Sequence, residues 1–263
     1  QPNCLACTLA HRRPPQWWRY SGLLKAAVRH VDLFLAPSRF SLEKHREMGF
    51  NAPMHCLPPF VPELARVPET ANGGTAARFD KPYFLFVGRL EKLKGLQTVV
   101  PTFRAYDKAR LLIAGTGNFE RQLRKLSDGD DNVQYLGYQS QDALQDLYRG
   151  TVAVIVPSLC FEGFPLVVLE AFRQKTPVIV RNIGALPEIV GDSGGGIVYN
   201  DDPELVAALD RLKSNPSLRD ALGSRGYQSY IGSWSIEAHL NRYFSAIRNA
   251  AADGSHMSPT LEP

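Results

Sequence analysis

From residue 83 onwards, short apolar runs of strand length alternate with segments that have the apolar spacing of amphipathic helices. This alternation is typical of a parallel sheet whose strands are joined by helices that cover both of its faces. The predicted strands are Tyr83–Val87, Leu111–Ala114, Val133–Leu136, Val152–Val156, Val178–Val180 and Gly196–Tyr199. The predicted helices lie near 96–106, 119–127, 140–149, 165–174 and 203–214. The sequence therefore predicts an α/β fold with a Rossmann-like, doubly wound parallel sheet.

The segments on either side of this alternation have other patterns. Val31–Ala36 and 54–57 are predicted to be strands, with a helix that starts at Pro37-Ser38 and ends near Met48. Residues 58–80 are rich in proline and glycine and have little periodicity, which is typical of a linker. Ser235–Asn249 has the pattern of a terminal amphipathic helix. A second, smaller α/β part therefore precedes the predicted sheet.

The composition excludes several classes of protein. It is 44% hydrophobic and 21% charged, as in ordinary globular proteins, and the net charge of +4 gives no general case for nucleic acid as a partner. No apolar run approaches the roughly 18 residues of a membrane-spanning helix, and no signal peptide is visible. Four scattered cysteines suit a reducing, cytoplasmic compartment. Cys4 and Cys7 have the spacing of a metal-binding pair, but no second pair follows, so we predict reduced thiols there.

The two ends of the chain carry separate expectations. Residues 1–30 contain no acidic residue, and residues 11–30 mix arginine and lysine with Trp17, Trp18 and Tyr20. Such a mixture favours peripheral contact with an anionic membrane, or else an aromatic-rich connector packed on the core. Gly254-Ser255-His256-Met257 matches the scar of a cleaved purification tag, left either by cloning or by a rearrangement that places a native start at Met257. We therefore expect residues 251–263 to be a linker or tag-derived tail.

The segment that follows the predicted strand Val152–Val156 is a candidate binding loop. Pro165 suits the first position of the next helix, whose predicted inward face contains Leu166, Val168, Leu169 and Phe172. The loop from Cys160 to Phe164 thus joins the carboxyl end of a strand to the start of a helix. Open α/β sheets bind ligands at that edge, and the free N–H groups of a helix start favour anions.

Two glutamates bracket this turn, Glu162 in the loop and Glu170 about 7–8 Å along the helix axis. Carboxylates accept hydrogen bonds well from vicinal hydroxyls, so the pair could hold two hydroxyl-bearing parts of one ligand. The alternative is that both side chains are merely solvated.

Other predicted strand ends carry suitable turns as well. In Gly88-Arg89-Leu90-Glu91-Lys92-Leu93-Lys94-Gly95, Arg89 and Lys94 could clamp a diphosphate. In Ala114-Gly115-Thr116-Gly117, the glycines would let the backbone approach a ligand closely. This second turn lacks the further glycine of the dinucleotide fingerprint, which disfavours an NAD-dependent dehydrogenase.

An acidic run, Asp128-Gly129-Asp130-Asp131, offers the Asp-x-Asp pattern of metal-dependent transferases. It falls in a predicted helix-to-strand loop, and such loops lie at the opposite edge of a parallel sheet. We therefore interpret it as a solvated acidic turn and predict no metal site and no divalent metal requirement.

Three of these motifs together resemble the donor domain of family 4 retaining glycosyltransferases, which have the GT-B fold. They are Gly88-Arg89-Leu90…Lys94-Gly95, Ala114-Gly115-Thr116-Gly117 and Glu162-Gly163-Phe164-Pro165-Leu166…Glu170-Ala171. The resemblance covers roughly residues 81–230, and Ala36-Pro37-Ser38 with the segment to Phe60 is similar to the end of that family's N-terminal domain. It implies a truncated remnant of an acceptor-side domain at 1–60, a linker at 61–80, a nucleotide-sugar donor domain at 81–230 and a crossing helix at 231–250.

The resemblance also implies an activity and roles for residues. The protein would be a retaining glycosyltransferase of the hexosyltransferase type, which moves a sugar from a UDP- or GDP-sugar to a glycan or lipid-linked acceptor, as in polysaccharide biosynthesis. Arg89 and Lys94 would bind the donor diphosphate, Glu162 a hydroxyl of the transferred sugar, and Glu170 the ribose diol. Further donor contacts are implied for Gly88, Gly115, Thr116, Gly117, Gly163, Phe164, Pro165 and Leu166. No cofactor is implied besides the substrate itself.

Two alternatives stay open. The family's histidine near the transferred sugar lies in its N-terminal domain, and His11 does not match that position. We therefore expect the chain to be mainly a donor-binding half, which by itself could be a non-catalytic nucleotide-sugar-binding module. Another GT-B enzyme, such as a nucleotide-sugar epimerase, is the second alternative, although the glutamate pair with Arg89 and Lys94 speaks against it.

Overall fold

The computed structural model describes residues 14, 21–63, 79 and 81–254. Residues 21–63 form a short α/β segment, in which two strands pair in parallel and two helices flank them. Its elements are α1 (Leu23–Val28), β1 (Phe34–Ala36), α2 (Arg39–Glu47) and β2 (Met54–Cys56). The predicted strand at Val31–Ala36 begins only at Phe34, and the predicted helix from Ser38 is confirmed. Ser38 caps α2, since its hydroxyl accepts from the N–H of Ser41 at 3.0 Å.

The larger part of the protein is a six-stranded sheet in which all neighbouring strands are parallel. Its strands are β3 (Tyr83–Val87), β4 (Arg110–Ala114), β5 (Val133–Gly137), β6 (Val154–Val156), β7 (Val178–Arg181) and β8 (Gly196–Tyr199). Their order across the sheet is β5-β4-β3-β6-β7-β8. The chain therefore steps outward from β3 to one edge, returns to β6 beside β3, and continues to the other edge. This is the doubly wound topology that the sequence predicts.

Helices cover both faces of this sheet. They are α3 (Leu96–Ala105), α4 (Glu120–Ser127), α5 (Gln141–Gly150), α6 (Leu166–Arg173), α7 (Leu186–Ser193), α8 (Asp202–Ser214) and α9 (Pro216–Ser229), and a terminal helix, α10 (Ile236–Gly254), follows them. A 3₁₀ turn at Lys92–Lys94 precedes α3, and a π-helical turn at Tyr230–Trp234 precedes α10. The terminal helix continues through residues 251–254, which the sequence assigned to a tail.

The core consists of two layers, one on each face of the sheet. Adjacent residues of a strand point to opposite faces, so Phe84 joins one layer and Leu85 the other. The first layer includes Phe103 of α3 and Leu209 of α8, and the second includes Phe172 of α6. Because both faces are covered, the central strands β3 and β6 are apolar along their whole length, as buried parallel strands usually are.

Besides the short α1, the sequence-based prediction missed two helices of the sheet part, α7 and α9. Both contain proline and glycine, which indicate loops when they are met in isolation. In the structure, Pro187 and Pro216 lie in the first turns of their helices, where proline is tolerated. A Cβ at Gly223 would lie 1.9 Å from the carbonyl oxygen of Lys175, and one at Gly226 would lie 2.4 Å from the Phe172 ring. The glycines of α9 therefore allow close helix packing and do not end the helix.

Since the strands are parallel, their carboxyl ends share one edge of the sheet. The loops after β3, β4, β5, β6 and β7 lie along that edge. The acidic turn at Asp128–Asp131 precedes β5 and so lies at the other edge, as predicted. The side chain of Asp128 is 78% exposed, which agrees with a solvated turn.

Candidate active site

The loops after β3 and β4 are packed against each other, backbone to backbone. The N–H of Gly88 donates to Ala114 at 3.0 Å, and that of Leu90 donates to Thr116 at 2.9 Å. A Cβ at Gly115 would lie 1.9 Å from the carbonyl oxygen of Gly88, and one at Gly117 would lie 2.3 Å from that of Leu90. The contact between the two loops therefore requires glycine at both positions. The sequence suggested instead that these glycines admit a ligand, so the structure gives them a different physical reason.

The two predicted diphosphate ligands, Arg89 and Lys94, have different surroundings. Arg89 is 75% exposed at its side chain, and its guanidinium lies 2.7 Å from a carboxylate oxygen of Glu91. Exposed ion pairs contribute little to stability, so this cation is available to a competing anion. Lys94 is only 26% exposed and lies in the 3₁₀ turn, where its Nζ is 2.7 Å from Oε1 of Glu162.

Glu162 is held in place by two donors. Its Oε1 accepts from Nζ of Lys94 and from the hydroxyl of Ser158, both at 2.7 Å, and its side chain is 14% exposed. Its carbonyl oxygen accepts from the N–H of Ala185 at 3.2 Å, which ties the loop to the start of α7. Oε2 has no partner among the described residues, so it is the oxygen that Glu162 can offer to a ligand.

Ser158 is a site residue that the sequence reasoning missed. Its place in the sequence, just after β6, indicates only a residue of the turn that ends the strand. It is 1% exposed, and its hydroxyl is aimed at Glu162 four residues later. The only signal in the sequence was a hydroxyl that follows a predicted buried strand and precedes a candidate carboxylate by four residues.

Glu170 is held by a tyrosine that the sequence reasoning also missed. The hydroxyl of Tyr148, in α5, donates to Oε2 of Glu170 at 2.7 Å. Tyr148 is 2% exposed, and burial raises its pKa well above the ordinary value for tyrosine. The phenol therefore stays protonated at neutral pH and remains a donor. Oε1 of Glu170 has no partner within the described residues.

The turn between the two glutamates differs in detail from the prediction. Pro165 caps α6 and does not belong to it, with φ −76° and ψ 113°. Leu166 is 45% exposed and does not face the core, whereas Val168, Leu169 and Phe172 are buried as predicted. The Phe164 ring packs against Trp234 with 5.9 Å between centroids. Within the described residues, the N–H groups of Gly163 and Leu166 donate to no acceptor, which leaves them available to an anion at this helix start.

The segment formed by residues 21–63 contacts this turn directly. Phe40 of α2 lies 5.0 Å from the Phe161 ring, and a Cβ at Gly163 would lie 3.5 Å from the side chain of Pro37. Both oxygens of Glu188 accept backbone N–H groups at the start of α2, from Arg39 at 3.0 Å and from Phe40 at 2.8 Å. Nothing in the sequence pattern singled out Glu188, because its partners lie about 150 residues earlier in the chain.

Several predictions concern residues that the structure covers only in part or not at all. Cys4, Cys7, His11, Trp17, Trp18 and Tyr20 lie outside the described residues. Residues 21–30 are described, and in α1 the side chains of Leu23 and Leu24 are 59% and 50% exposed. Across the described ranges, no helix is long and apolar enough to cross a membrane. The same ranges contain no group of three or more His, Cys, Asp or Glu side chains arranged to hold a metal ion.

Comparison with known proteins places this arrangement in a class. Over 94% of the chain, the fold matches 66% of sucrose-phosphate synthase from Thermosynechococcus elongatus, with a TM-score of 0.76 and 22% sequence identity. The doubly wound sheet therefore has the GT-B glycosyltransferase fold. Residues 71–229 match the family described as glycosyl transferases group 1. The chain belongs to this family, and the resemblance inferred from the three motifs is confirmed.

Two curated relatives illustrate the family. The uncharacterised glycosyltransferase MJ1607 of Methanocaldococcus jannaschii is 35% identical over 149 residues, which are 54% of this chain and 38% of the relative. A GDP-mannose-dependent monoacylated α-(1-6)-phosphatidylinositol monomannoside mannosyltransferase of Corynebacterium glutamicum is 28% identical over 238 residues, or 83% of this chain and 62% of the relative. The chain thus spans between about two fifths and three fifths of the length of these relatives.

Proposed function

We propose that this chain is the donor-binding half of a retaining glycosyltransferase that transfers a sugar from a nucleotide-diphosphate sugar. The observation that carries the proposal is the cluster of Lys94, Ser158 and Glu162 at the carboxyl edge of the sheet. It places a half-buried cation and a fixed carboxylate at a helix start whose N–H groups are available. Those are complementary groups for a diphosphate and for the hydroxyls of a sugar bonded to it.

Each residue has a role in this proposal that follows from its surroundings. Arg89 is exposed and, among the described residues, is paired with Glu91, so it can release that carboxylate and bind phosphate oxygens of the donor instead. Lys94 supplies a positive charge at a fixed place, and that charge offsets the negative charge that grows on the departing nucleotide. Glu162 accepts from a hydroxyl of the transferred sugar through Oε2, and Glu170 accepts from the ribose diol through Oε1.

The donor is proposed to be a UDP- or GDP-sugar and the acceptor a glycan or a lipid-linked molecule. The relative from Corynebacterium glutamicum is named for GDP-mannose and for a phosphatidylinositol-based acceptor, which supports this substrate class. The basic and aromatic composition of residues 11–30, and the exposed Leu23 and Leu24, support peripheral contact with an anionic membrane. Co-sedimentation with anionic vesicles tests this contact. If the protein stays in the supernatant, the membrane proposal is wrong.

Donor binding is proposed to need no divalent metal, because Arg89 and Lys94 supply positive charge for the diphosphate. Titration of the donor with and without a chelator tests this. A loss of donor binding in the presence of chelator would contradict it.

The main experiment is a calorimetric titration with UDP, GDP, ADP and their sugar conjugates, on the wild type and on Arg89→Ala, Lys94→Ala and Lys92→Ala. A charge-assisted hydrogen bond is worth about 1.5–3 kcal/mol, so Arg89→Ala and Lys94→Ala should each weaken diphosphate binding by about tenfold or more. Lys92 lies exposed in the same 3₁₀ turn and is the matched control, since its removal changes the net charge equally. Equal affinities in Lys94→Ala and Lys92→Ala would show that Lys94 does not bind the diphosphate.

Product analysis separates the alternatives. A non-catalytic module would bind the nucleotide sugar and leave it intact with every acceptor, whereas a transferase consumes the donor once an acceptor is supplied. A nucleotide-sugar epimerase would instead return an isomer of the sugar with no acceptor present. Product analysis after incubation with the donor that binds therefore distinguishes the three.

A further inference from the structure

The last turn of α5 presents a buried tyrosine hydroxyl to the carboxylate of Glu170. Tyr148 is 2% exposed, and its hydroxyl lies 2.7 Å from Oε2 of Glu170. The two residues are 22 positions apart and lie on different helices, so neither helix periodicity nor local sequence brings them together.

The backbone around Tyr148 is fixed by two side chains from the sheet. The hydroxyl of Tyr83 in β3 donates to the carbonyl oxygen of Leu147 at 3.0 Å. The hydroxyl of Thr176, just before β7, donates to the carbonyl oxygen of Tyr148 at 2.7 Å. The phenol therefore projects from a rigid wall, and its hydroxyl has a fixed position relative to the sheet.

This fixed donor determines how Glu170 presents its carboxylate. A glutamate side chain has several rotatable bonds, and an unrestrained one loses conformational entropy when it binds a ligand. With Oε2 held by Tyr148, the carboxylate plane has a defined direction and Oε1 keeps its acceptor capacity. The Tyr148 hydroxyl donates its proton to this carboxylate, so it does not compete with Glu170 as an acceptor for hydroxyls of the ligand.

We propose that Tyr148 is a positioning residue that orients Glu170 for the ribose diol of the donor and so sets the preference of this site for ribonucleotides. The inference rests on the proposed function, in which Glu170 binds that diol. Tyr148 does not touch the nucleotide in this proposal, and it acts only through the carboxylate.

The test compares ribonucleoside diphosphates with their 2′,3′-dideoxy counterparts, whose ribose cannot use Glu170. Calorimetry gives the affinity of both forms of whichever of UDP, GDP and ADP binds most tightly. The ratio of the two affinities measures the diol interaction alone, because all other contacts are the same in both ligands. The variants are Tyr148→Phe, Glu170→Gln and, as a matched control, Tyr106→Phe. The control removes the hydroxyl of another buried tyrosine, which bonds Asp210 and does not contact α5 or Glu170.

The expected results differ for each variant. Glu170→Gln should reduce the preference for the ribonucleotide by about tenfold, which corresponds to about 1.4 kcal/mol. Tyr148→Phe should reduce it by about three- to tenfold while the affinity for the dideoxy ligand stays within about twofold of the wild type. Tyr106→Phe should leave the preference unchanged. In the double variant, Tyr148→Phe should add little to Glu170→Gln, since the two act through one interaction.

Failure of the inference can be told apart from failure of the proposed function. If Glu170→Gln keeps the wild-type preference, or if no nucleotide binds the wild type, the assigned ribose site is wrong and the inference falls with it. If Glu170→Gln loses the preference but Tyr148→Phe keeps it, the ribose site stands and the role of Tyr148 is refuted. If Tyr148→Phe weakens both ligands equally, its hydroxyl serves only the packing of α5, which also refutes the role.

Discussion

The two parts of this protein are stabilised in different ways. In the sheet part, residues 81–234, the strands are buried on both faces, and the helices insert large side chains such as Phe103 and Phe172 between them. In the segment of residues 21–63, neither α1 nor α2 contains a fully buried side chain, and the sheet has only two strands. The first part is held by apolar burial, whereas the second is held largely by specific contacts with the first.

Those contacts converge on a few residues of the sheet part and of α10. Glu188 accepts the first N–H groups of α2. The hydroxyl of Tyr230 donates to the carbonyl oxygen of Val61 at 2.9 Å. Nδ1 of His239, in α10, lies 2.8 Å from the carbonyl oxygen of Pro58. Phe40 packs on Phe161, directly before Glu162. The position of the smaller part is thus linked to the loop that contains Glu162, the residue proposed to bind the transferred sugar.

The largest expected effect is on the apolar core of the sheet part. Phe172 is fully buried and stacks on Trp234 with 6.0 Å between ring centroids. Phe172→Ala should lower the free energy of unfolding by about 3–5 kcal/mol, because it removes the ring and leaves a cavity. Urea denaturation followed by circular dichroism measures this. Phe244→Ala, at a site that is 51% exposed, is the control and should change it by about 0.5 kcal/mol or less. Similar values for the two variants would mean that the core does not dominate stability.

A smaller, local effect is expected where the two parts meet. Glu188→Ala removes the carboxylate that caps α2, a loss worth about 0.5–2 kcal/mol. Because these two amides lose their acceptors, hydrogen exchange of Arg39 and Phe40 should accelerate by about tenfold for each 1.4 kcal/mol, while the amides of β3 and β4 keep their rates. Glu43→Ala, on the exposed side of α2, should accelerate neither amide. Uniform acceleration across both parts would show that they unfold as one unit, which contradicts the distinction drawn above.

The smallest effect concerns an exposed polar contact within the sheet part. Asp210 accepts from Nζ of Lys108 at 2.8 Å and from the hydroxyl of Tyr106 at 2.9 Å, and the Lys108 bond holds the pKa of Asp210 below its ordinary 3.8. A carboxyl whose pKa is lower in the folded state stabilises the fold above pH 3.8 and loses that contribution as the pH falls through the folded pKa. Asp210→Asn should therefore be slightly less stable than the wild type at pH 7 and equal to it in strong acid. Unfolding measured from pH 7 to pH 2 tests this, with Asp107→Asn as a matched change of charge. A difference that does not vary with pH would rule out the ionised contact.

Much of the fold followed from local sequence patterns. Each predicted strand of the sheet has its counterpart, because apolar runs such as Phe84–Val87 are bounded by glycine, proline or polar turns. The strand predicted at Val152–Val156 begins only at Val154, since Thr151 and Val152 are used in contacts with Tyr83. The helices α7 and α9 were missed because their glycines and prolines serve packing and helix starts, and a local pattern cannot distinguish those uses from loops.

The sequence could predict the candidate site only as far as the arrangement of the parallel strands determines which loops lie together. The carboxyl ends of parallel strands share an edge, so the sequence could place Arg89, Lys94 and Glu162 near one another. It could not give the bond between Lys94 and Glu162 or that between Tyr148 and Glu170, because both depend on how separate elements pack. Ser158 was visible in the sequence, but only its burial shows that the hydroxyl points at Glu162.

The interlocked loops after β3 and β4 limit how this site can be redesigned. Gly115 and Gly117 leave no space between their own Cα atoms and the carbonyl oxygens of the neighbouring loop. If one loop alone were replaced by that of a relative, and the relative's loop lacked one of these glycines, a side chain would be inserted into that backbone contact. The two loops therefore have to be transplanted together, as one cassette, in any exchange of this edge of the sheet between members of the family.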